Sequence, residues 1–189
     1  LENRQTFSLK LKNKCLNLGL CFNEPCQKMK NLILVRHAKS SWYAPVPDKD
    51  RSISNRGVKD AHLVSSEVIK YLPKTFIIWS STAKRASETA TIFTQNMSCP
   101  LESIVYKDDL YTFECKELVK VIKFCNDSYD CVILFGHNEA ITDFVNKFTD
   151  VFVENVPTSG FVSINFEVNS WEDIDKGEIK KMIFPRHLK

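Results

Sequence analysis

Asn-Leu-Ile-Leu-Val-Arg-His, at residues 31–37, places four apolar side chains directly before a guanidinium and an imidazole. A short apolar run of this kind is typical of a central strand in an α/β sheet that is buried on both faces. In open α/β sheets, ligands bind just beyond the carboxyl ends of the strands. A cation there costs desolvation energy unless an anion compensates it, so Arg36 and His37 are candidates for a binding site. The alternative is a solvated pair where the strand enters a loop.

Two more apolar runs, at residues 76–79 and 131–135, have the same character, and helical periodicity follows each run. Strands that alternate with helices predict a mainly parallel sheet covered on both faces. Residues 161–166 and 179–184 resemble edge or antiparallel strands. The pattern therefore predicts a three-layer α/β/α sandwich. Four helices are marked by the spacing of their apolar residues: Val58, Ala61, Val64, Val68 and Leu72; Ala83, Ala86, Ala90 and Phe93; Leu118, Val121, Ile122 and Cys125; Ile141, Phe144, Val145 and Phe148.

The composition is that of an ordinary globular protein. With 189 residues, 43% of them hydrophobic and 26% charged, the chain is long enough for one domain with a substantial core. The net charge of +3 is too small to indicate a nucleic-acid partner, which requires a clustered basic face. No apolar run approaches the roughly 18 residues of a membrane-spanning helix. We therefore expect neither a nucleic-acid nor a membrane partner, and we also expect the chain to be a monomer.

The seven cysteines are odd in number and scattered along the chain. They form no Cys-x-x-Cys pair and no zinc-type spacing, so no metal site is predicted. Secreted disulfide scaffolds are small and rich in loops, unlike this chain. We therefore expect reduced cysteines, mostly packed as small core residues, in a cytoplasmic protein.

Residues 1–28 differ from the rest of the sequence. Their periodicity is weak, they do not begin with Met, and they hold three of the seven cysteines. Residues 16–22 are somewhat apolar, but Asn and Gly interrupt them and no small-residue cleavage pattern follows, which disfavours a signal peptide. Met29, directly before the first strand, is a natural start. We expect residues 1–28 to be a poorly ordered extension and residues 29–189 to form the functional domain.

Polar side chains suited to binding phosphate follow each of the three apolar strands. Arg36 and His37 follow the first strand, Arg85 lies where a helix begins after the second, and Gly-His-Asn at residues 136–138 follows the third. The carboxyl ends of parallel strands share one edge of a sheet, so these distant residues can converge. Helix N-termini and arginine forks both favour a bound phosphate. The strand ends therefore predict an oxyanion site made of two arginines and two histidines: Arg36, His37, Arg85 and His137.

These motifs resemble the histidine phosphatase superfamily, the fold shared by cofactor-dependent phosphoglycerate mutases and acid phosphatases. At residues 34–42, the Ala-Lys-Ser-Ser-Trp that follows Arg-His is similar to SixA-like phosphohistidine phosphatases, whereas mutases favour Gly-Glu there. The resemblance covers residues 29–185 and implies a phosphoglycerate mutase-like histidine phosphatase domain over residues 29–189. Four further segments resemble family motifs in the right order: residues 51–57, 80–90, 136–138 and 156–160.

The resemblance implies a role for each residue of the predicted site. His37 would attack phosphorus in line through its neutral imidazole and carry the phosphoryl group as a phosphohistidine. Arg36 and Arg85 would bind the equatorial oxygens, and His137 would stabilise the charge on the transferring group. Water would then release phosphate from His37, and neither a metal nor another cofactor is implied.

The proton donor is the least defined part of the pattern. Mutase-type members protonate an alcohol leaving group with a carboxylic acid, whereas SixA-like members lack a clear equivalent of that acid. Glu114 is the candidate here, with Glu117 and Glu139 as weaker ones. Glu114 is equally placed to interact with a helix dipole, and Glu117 to be a solvated residue. An imidazole leaving group tolerates the absence of a dedicated acid.

Side chains around the motifs have competing interpretations. Ser40 and Asn138 are expected to bind substrate, with turn formation and helix capping as the respective alternatives. Arg51 is suited to an outer phosphate contact, but pairing with Asp48 or Asp50 to fix a loop is favoured. These residues therefore surround the predicted site without defining its chemistry.

The sequence as a whole favours a phosphatase that hydrolyses phosphohistidine on a protein or on a small phosphorylated substrate. A broad-specificity phosphomonoesterase is the alternative enzyme, and a mutase is disfavoured because the domain has little spare length for a substrate lid. A non-catalytic phosphoprotein-binding module is the alternative from a different class. Such a module would need the arginines but not His37 as a nucleophile.

Overall fold

The computed structural model describes residues 29–43 and 45–189, so the expected disorder of residues 1–28 lies outside the described residues. Within the described part of the chain, no helix is long and apolar enough to cross a membrane. Short 3₁₀ turns connect the main elements. In chain order these elements are β1 (Lys30–Arg36), α1 (Asn55–Val68), β2 (Ile77–Ser81), α2 (Lys84–Asn96), β3 (Ile104–Lys107), α3 (Cys115–Lys123), β4 (Cys131–Gly136), α4 (Ala140–Phe148), β5 (Phe161–Phe166) and β6 (Glu178–Ile183).

The six strands form one sheet in the order β3-β2-β4-β1-β5-β6. Strands β1 to β4 run parallel to one another, and β5 and β6 are antiparallel to their neighbours. The prediction of a mainly parallel sheet is confirmed. Strand β3 was not predicted, because it has only four residues, two of them exposed at the edge of the sheet, and so carries little apolar pattern.

Each face of the sheet carries two helices, which confirms the predicted three-layer α/β/α sandwich. A hydrophobic core lies on each face of the sheet, and the side chains of β1 point alternately into these two cores, since successive residues of a strand point to opposite faces. Leu32 and Leu34 pack in the core with residues of α3 and α4, whereas Ile33 and Val35 pack with residues of α1 and α2. All four side chains are completely buried, as the central position of β1 requires.

The four cysteines of the described residues are free. Cys125 and Cys131 are buried, and burial raises the pKa of their thiols to about 11 and about 12. Cys99 and Cys115 are partly exposed. The expected core packing is therefore confirmed for Cys125 and Cys131, and the reduced state of the cysteines stays a prediction.

Candidate active site

The ends of β1 and β4 bring His37 and His137 together at the carboxyl edge of the sheet. Arg36 pairs with Gly136 at the last position of the two strands, and the His37 amide donates to the Gly136 carbonyl at 3.0 Å. The two imidazole centroids lie 5.2 Å apart. From the first turn of α2, Arg85 reaches the same point, where its Nε donates to His37 Nε2 at 3.2 Å.

The hydrogen bonds of His37 define its tautomer. Nδ1 lies 2.8 Å from the Ala38 carbonyl oxygen, which can only accept, so Nδ1 carries the proton. Nε2 therefore presents a lone pair, which accepts from Arg85. Burial, together with the charges of Arg85, Arg36 and Arg51, lowers the pKa of His37 to about 4, against the raising effect of the Ala38 bond. At neutral pH the side chain is an uncharged imidazole with an available nucleophilic nitrogen.

His137 is almost completely buried, with 1% of its surface exposed. Its Nε2 lies 2.8 Å from the Ser81 hydroxyl at the end of β2, whereas its Nδ1 is buried without a hydrogen-bond partner. When Ser81 is the donor of that pair, Nδ1 is a free N–H group. Burial, reinforced by His37 and Arg85, lowers the pKa of His137 to about 3. Tyr111 and Phe113 cover this ring at centroid distances of 5.3 and 5.4 Å.

Arg36 is half-buried and anchored by one of its three nitrogens. Nη1 donates to Asn155 Oδ1 at 3.0 Å and to the Val156 carbonyl at 2.7 Å. Nε is buried without a partner, as is Nδ1 of His137. Buried polar nitrogens are normally paired, so these two nitrogens from adjacent strand ends indicate a place for an oxyanion when His137 Nδ1 carries its proton. Burial also lowers the pKa of Arg36, which an anion would reverse.

Asp48 is the residue of this site that the sequence did not reveal. Arg85, only 3% exposed, donates from Nη2 to Asp48 Oδ2 at 2.8 Å and from Nη1 to the Asp48 carbonyl. Arg51 Nη1 and the Tyr111 hydroxyl also donate to this carboxylate, at 2.9 and 2.8 Å. The favoured pairing of Arg51 with Asp48 is thus confirmed. Nothing in the short acidic sequence around Asp48 distinguishes it from a solvated turn.

Burial would raise the pKa of Asp48, but the hydrogen bonds from Tyr111, Arg85 and Arg51 outweigh this effect and lower it. The carboxylate is therefore charged in the unliganded site. Its negative charge balances the positive charge of the buried Arg85 guanidinium, which would otherwise need an external anion.

Ser40 and Asn138 lie beside the site and are engaged by other side chains. The buried Ser40 hydroxyl accepts from Arg51 Nη2 at 2.6 Å. Asn138 donates to Asn155 Oδ1 at 3.0 Å and accepts from the Thr142 hydroxyl at 2.6 Å. Since Asn155 also accepts from Arg36, Asn138 supports the position of that guanidinium. Direct substrate binding by Ser40 and Asn138 stays a prediction.

Glu114 is exposed directly before α3, and its side chain has no hydrogen bond or ion pair to the histidines or to Arg85 in the described structure. Glu117 pairs with Lys120 at 3.0 Å, and Glu139 is exposed directly before α4. Proton donation by Glu114 therefore stays a prediction that no contact supports.

Over residues 29–43 and 45–189, no group of three His, Cys, Asp or Glu side chains is arranged to hold a metal ion.

Helix ends add to the positive character of this edge. Within the described structure, α2 has neither a side-chain cap nor an acidic residue in its first turn, so its partial positive charge is not compensated locally, whereas α4 carries Asp143 in its first turn. A cavity of about 230 Å³ adjoins the site on the side of Arg51. Its lining residues are Ser41, Tyr43, Val46, Asp50, Arg51, Ser52 and Lys84. The arrangement offers a nucleophilic nitrogen, oxyanion donors and room for part of a substrate.

The family model described as the histidine phosphatase superfamily (branch 1) matches residues 32–110 of this chain. The match begins within β1 and extends beyond α2, so it includes Arg36, His37 and Arg85. Together with the fold, it confirms the resemblance predicted from the motifs.

Curated relatives cover most of the chain. An uncharacterized protein of Mycobacterium leprae is 27% identical over 167 residues, which are 80% of this chain and 100% of that protein. An uncharacterized protein of Mycobacterium tuberculosis is 27% identical over 153 residues, which are 76% of this chain and 93% of that protein. The described domain therefore corresponds to nearly the whole of each relative.

Solved structures share the fold. A structure assigned as phosphohistidine phosphatase SixA from Nakamurella multipartitia has a TM-score of 0.72 at 20% identity, covering 83% of this chain and 96% of that one. The protein histidine phosphatase SixA complexed with tungstate has a TM-score of 0.71 at 16% identity, with coverages of 84% and 99%. A mycobacterial glucosyl-3-phosphoglycerate phosphatase has a TM-score of 0.55 at 12% identity, with coverages of 81% and 98%. At these identities the likeness shows the fold alone.

Proposed function

We propose that this chain of the histidine phosphatase superfamily hydrolyses phosphohistidine, on a protein or a small molecule, through a phosphorylated His37. One observation carries the proposal: the unprotonated Nε2 of His37 faces a site with two buried nitrogens that lack a hydrogen-bond partner in the described structure, His137 Nδ1 and Arg36 Nε. A module that only binds phosphate would need the donors. It would not need an imidazole held in the nucleophilic tautomer.

In the unliganded site, Arg85 Nε–H occupies the lone pair of His37. A bound phosphoryl oxygen would compete for that N–H, which would free the lone pair to attack phosphorus. Arg85 would then hold the equatorial oxygens, and the free donors of Arg36 and His137 would reach the remaining charge. Because these groups are already in place and shielded from water, little reorganisation would accompany the transfer.

The substrate assignment rests on the leaving group. None of the carboxylates first considered, Glu114, Glu117 and Glu139, touches the histidines or Arg85 in the described structure. Imidazole leaves from a phosphoramidate more readily than an alcohol leaves from an ester, so phosphohistidine needs the least help from any acid at this site. The likeness to SixA structures is in keeping with this choice. A general phosphomonoesterase is the second candidate, favoured by the presence of the Asp48 carboxylate on Arg85.

The direct test measures phosphate release from a phosphohistidine peptide and from p-nitrophenyl phosphate by the full chain. We expect turnover of both substrates, with the larger kcat/KM for phosphohistidine. His37→Ala should lower kcat/KM by at least about 1,000-fold, since loss of a nucleophile removes the covalent route. If the wild-type chain releases phosphate from neither substrate, the phosphatase proposal is wrong.

Trapping the phosphorylated enzyme identifies the nucleophile. After brief mixing with labelled substrate and denaturation in alkali, the label should stay on the chain and be lost on acidification, as a phosphoramidate requires. His62→Ala is the matched control, because His62 is an exposed histidine on α1 that lies outside the site. Label retained in His37→Ala would contradict the assignment of His37.

A further inference from the structure

Asp48 and His37 occupy the same edge of the Arg85 guanidinium. Nε donates to His37 Nε2 at 3.2 Å, and Nη2 donates to Asp48 Oδ2 at 2.8 Å. These two nitrogens form the side-on fork with which arginine binds two oxygens of one phosphate. The nucleophile and a carboxylate therefore lie side by side at the position that a phosphoryl group would enter.

Other contacts hold the Asp48 carboxylate in place when Arg85 releases it. Arg51 Nη1 donates to Oδ1 at 2.9 Å and the Tyr111 hydroxyl donates to Oδ2 at 2.8 Å. Arg51 is itself fixed by Ser40 and by the Trp42 ring, which lies 3.2 Å from its guanidinium carbon. A phosphoryl group that replaced Asp48 on Arg85 would therefore have the Asp48 carboxylate as its neighbour.

We propose that Asp48 is the catalytic acid of this site, which protonates the leaving atom when the phosphoryl group moves to His37. The inference rests on the proposed phosphatase function and assigns to Asp48 the role that the sequence suggested for Glu114. Its carboxylate is half-exposed, with 45% of the side-chain surface accessible, so a leaving group can reach it from solvent.

Substrate binding favours protonation of the Asp48 carboxylate. When the phosphoryl group replaces Asp48 on Arg85, the carboxylate loses its cationic partner and gains an anionic neighbour, and both changes raise its pKa. The charged or titratable groups that face Asp48 are Arg85 of α2, Arg51, Tyr111 and, at longer range, His137. Arg51 and Tyr111 keep their contacts with Asp48. The negative charge of the phosphoryl group is therefore what determines whether Asp48 becomes protonated.

The two chemical steps balance. His37 Nε2 forms a bond to phosphorus, while the bond from phosphorus to the leaving nitrogen or oxygen breaks. The leaving atom keeps that electron pair and takes the proton from Asp48. In the second step, water attacks phosphorus and gives a proton to the Asp48 carboxylate. The electron pair of the nitrogen–phosphorus bond then returns to His37, and inorganic phosphate departs.

The test compares Asp48→Asn with the wild-type chain on aryl phosphates of graded leaving-group acidity, from p-nitrophenyl to phenyl phosphate. A catalytic acid matters most for the poorest leaving group, since general acid catalysis contributes about 100-fold or more there. We therefore expect kcat/KM of Asp48→Asn to fall about 100-fold for phenyl phosphate and less than about tenfold for p-nitrophenyl phosphate. Asp175→Asn, at an exposed position in the loop before β6, is the control for charge and should leave both values within about twofold.

If Asp48→Asn lowers kcat/KM by the same factor for all aryl phosphates, Asp48 only positions Arg85, and the proposal is wrong. An unchanged kcat/KM would overturn it as well, and so would a wild-type chain that hydrolyses p-nitrophenyl but not phenyl phosphate. If Asp48→Asn does not fold, as judged by circular dichroism, Asp48→Ser is measured by the same criterion. A wild-type chain inactive on every substrate instead refutes the phosphatase function itself.

Discussion

His37 and His137 are two buried imidazoles in contact, and the positive charges of Arg85 and Arg36 act on both rings. Burial disfavours the imidazolium form of each ring, and the arginines disfavour it further. The pKa is lowered to about 4 for His37 and about 3 for His137, against an ordinary value of 6.5. Both rings therefore stay neutral across the physiological range. A neutral His37 can act as a nucleophile, and a neutral His137 can still donate one N–H group to an oxyanion.

The same burial makes the stability of the protein depend on pH. Between pH 6.5 and about 4, the unfolded chain binds protons at His37 and His137 that the folded chain does not bind. The free energy of unfolding should therefore decrease as the pH falls through this window, by on the order of 5 kcal/mol for the two histidines together. Urea unfolding at pH 6.5, 5.5 and 4.5 measures this decrease.

The matched control for this prediction is the double variant His37→Asn/His137→Asn, which cannot take up these protons. Its free energy of unfolding should decrease less over the same pH range. Equal slopes in the variant and the wild-type chain would show that other groups cause the pH dependence.

At the scale of elements, the start of α1 is fastened to the segment that follows His37. Ser54 caps the helix by accepting from the Gly57 amide at 3.1 Å, and its own amide and hydroxyl both donate to the Lys39 carbonyl. Gly57 faces this carbonyl so closely that a Cβ atom there would overlap the Lys39 oxygen. A glycine is required at this position because two backbone segments meet, although its φ angle is negative.

Gly57→Ala should therefore be harmful although alanine favours helices. Separating α1 from Lys39 should lower the free energy of unfolding by about 1–3 kcal/mol, as overpacking does. It should also lower kcat/KM, because Lys39 lies two residues beyond His37. Denaturant unfolding and p-nitrophenyl phosphate hydrolysis measure the two effects. Ser66→Ala, at an exposed position of α1, is the control and should change neither quantity; a Gly57→Ala chain as stable as wild type would contradict the prediction.

At the scale of the whole molecule, the edge of the sheet opposite the site holds a buried lysine. Lys30, at the start of β1, is completely buried and donates to the carbonyls of Asp127 and Tyr129 and to the Asp130 carboxylate, at 2.7, 3.1 and 2.9 Å. The buried Trp171 indole also donates to the Tyr129 carbonyl, at 2.8 Å. These bonds tie β1 to the loop before β4, about 20 Å from the histidines along the strand.

Lys30→Met should lower the stability of the protein without changing its activity. It keeps the apolar stem but removes the donor to the Asp127 carbonyl and the cation that pairs with the Asp130 carboxylate, so the free energy of unfolding should fall by about 2–4 kcal/mol. The kcat/KM of the folded variant should equal that of the wild type, since the site lies at the other end of β1. Lys116→Met, at an exposed position of α3, is the control and should change stability by less than about 0.5 kcal/mol. A loss of kcat/KM in folded Lys30→Met would contradict the independence of the two edges.

Most of the architecture was predictable because its signals are local. The run at residues 32–35 is apolar at every position and so indicates a strand buried on both faces, and the spacing of apolar residues in α1 to α4 indicates helices. The short edge strand β3 has too few residues for either signal. The buried role of Lys30 has no local signal either, since a lysine at the start of a strand is ordinarily solvated.

The sequence by itself determined the sheet, its layers and which strand ends carry Arg36, His37, Arg85 and His137, because parallel strands must end at one edge. Only the tertiary structure decided how these groups are paired. Asp48 lies 37 residues before Arg85, and local sequence cannot specify a contact over that distance. The tautomer of His37, the unpartnered donors and the carboxylate on the guanidinium all depend on which backbone and side-chain atoms the fold brings into hydrogen-bonding distance. That depends on the packing of the complete domain.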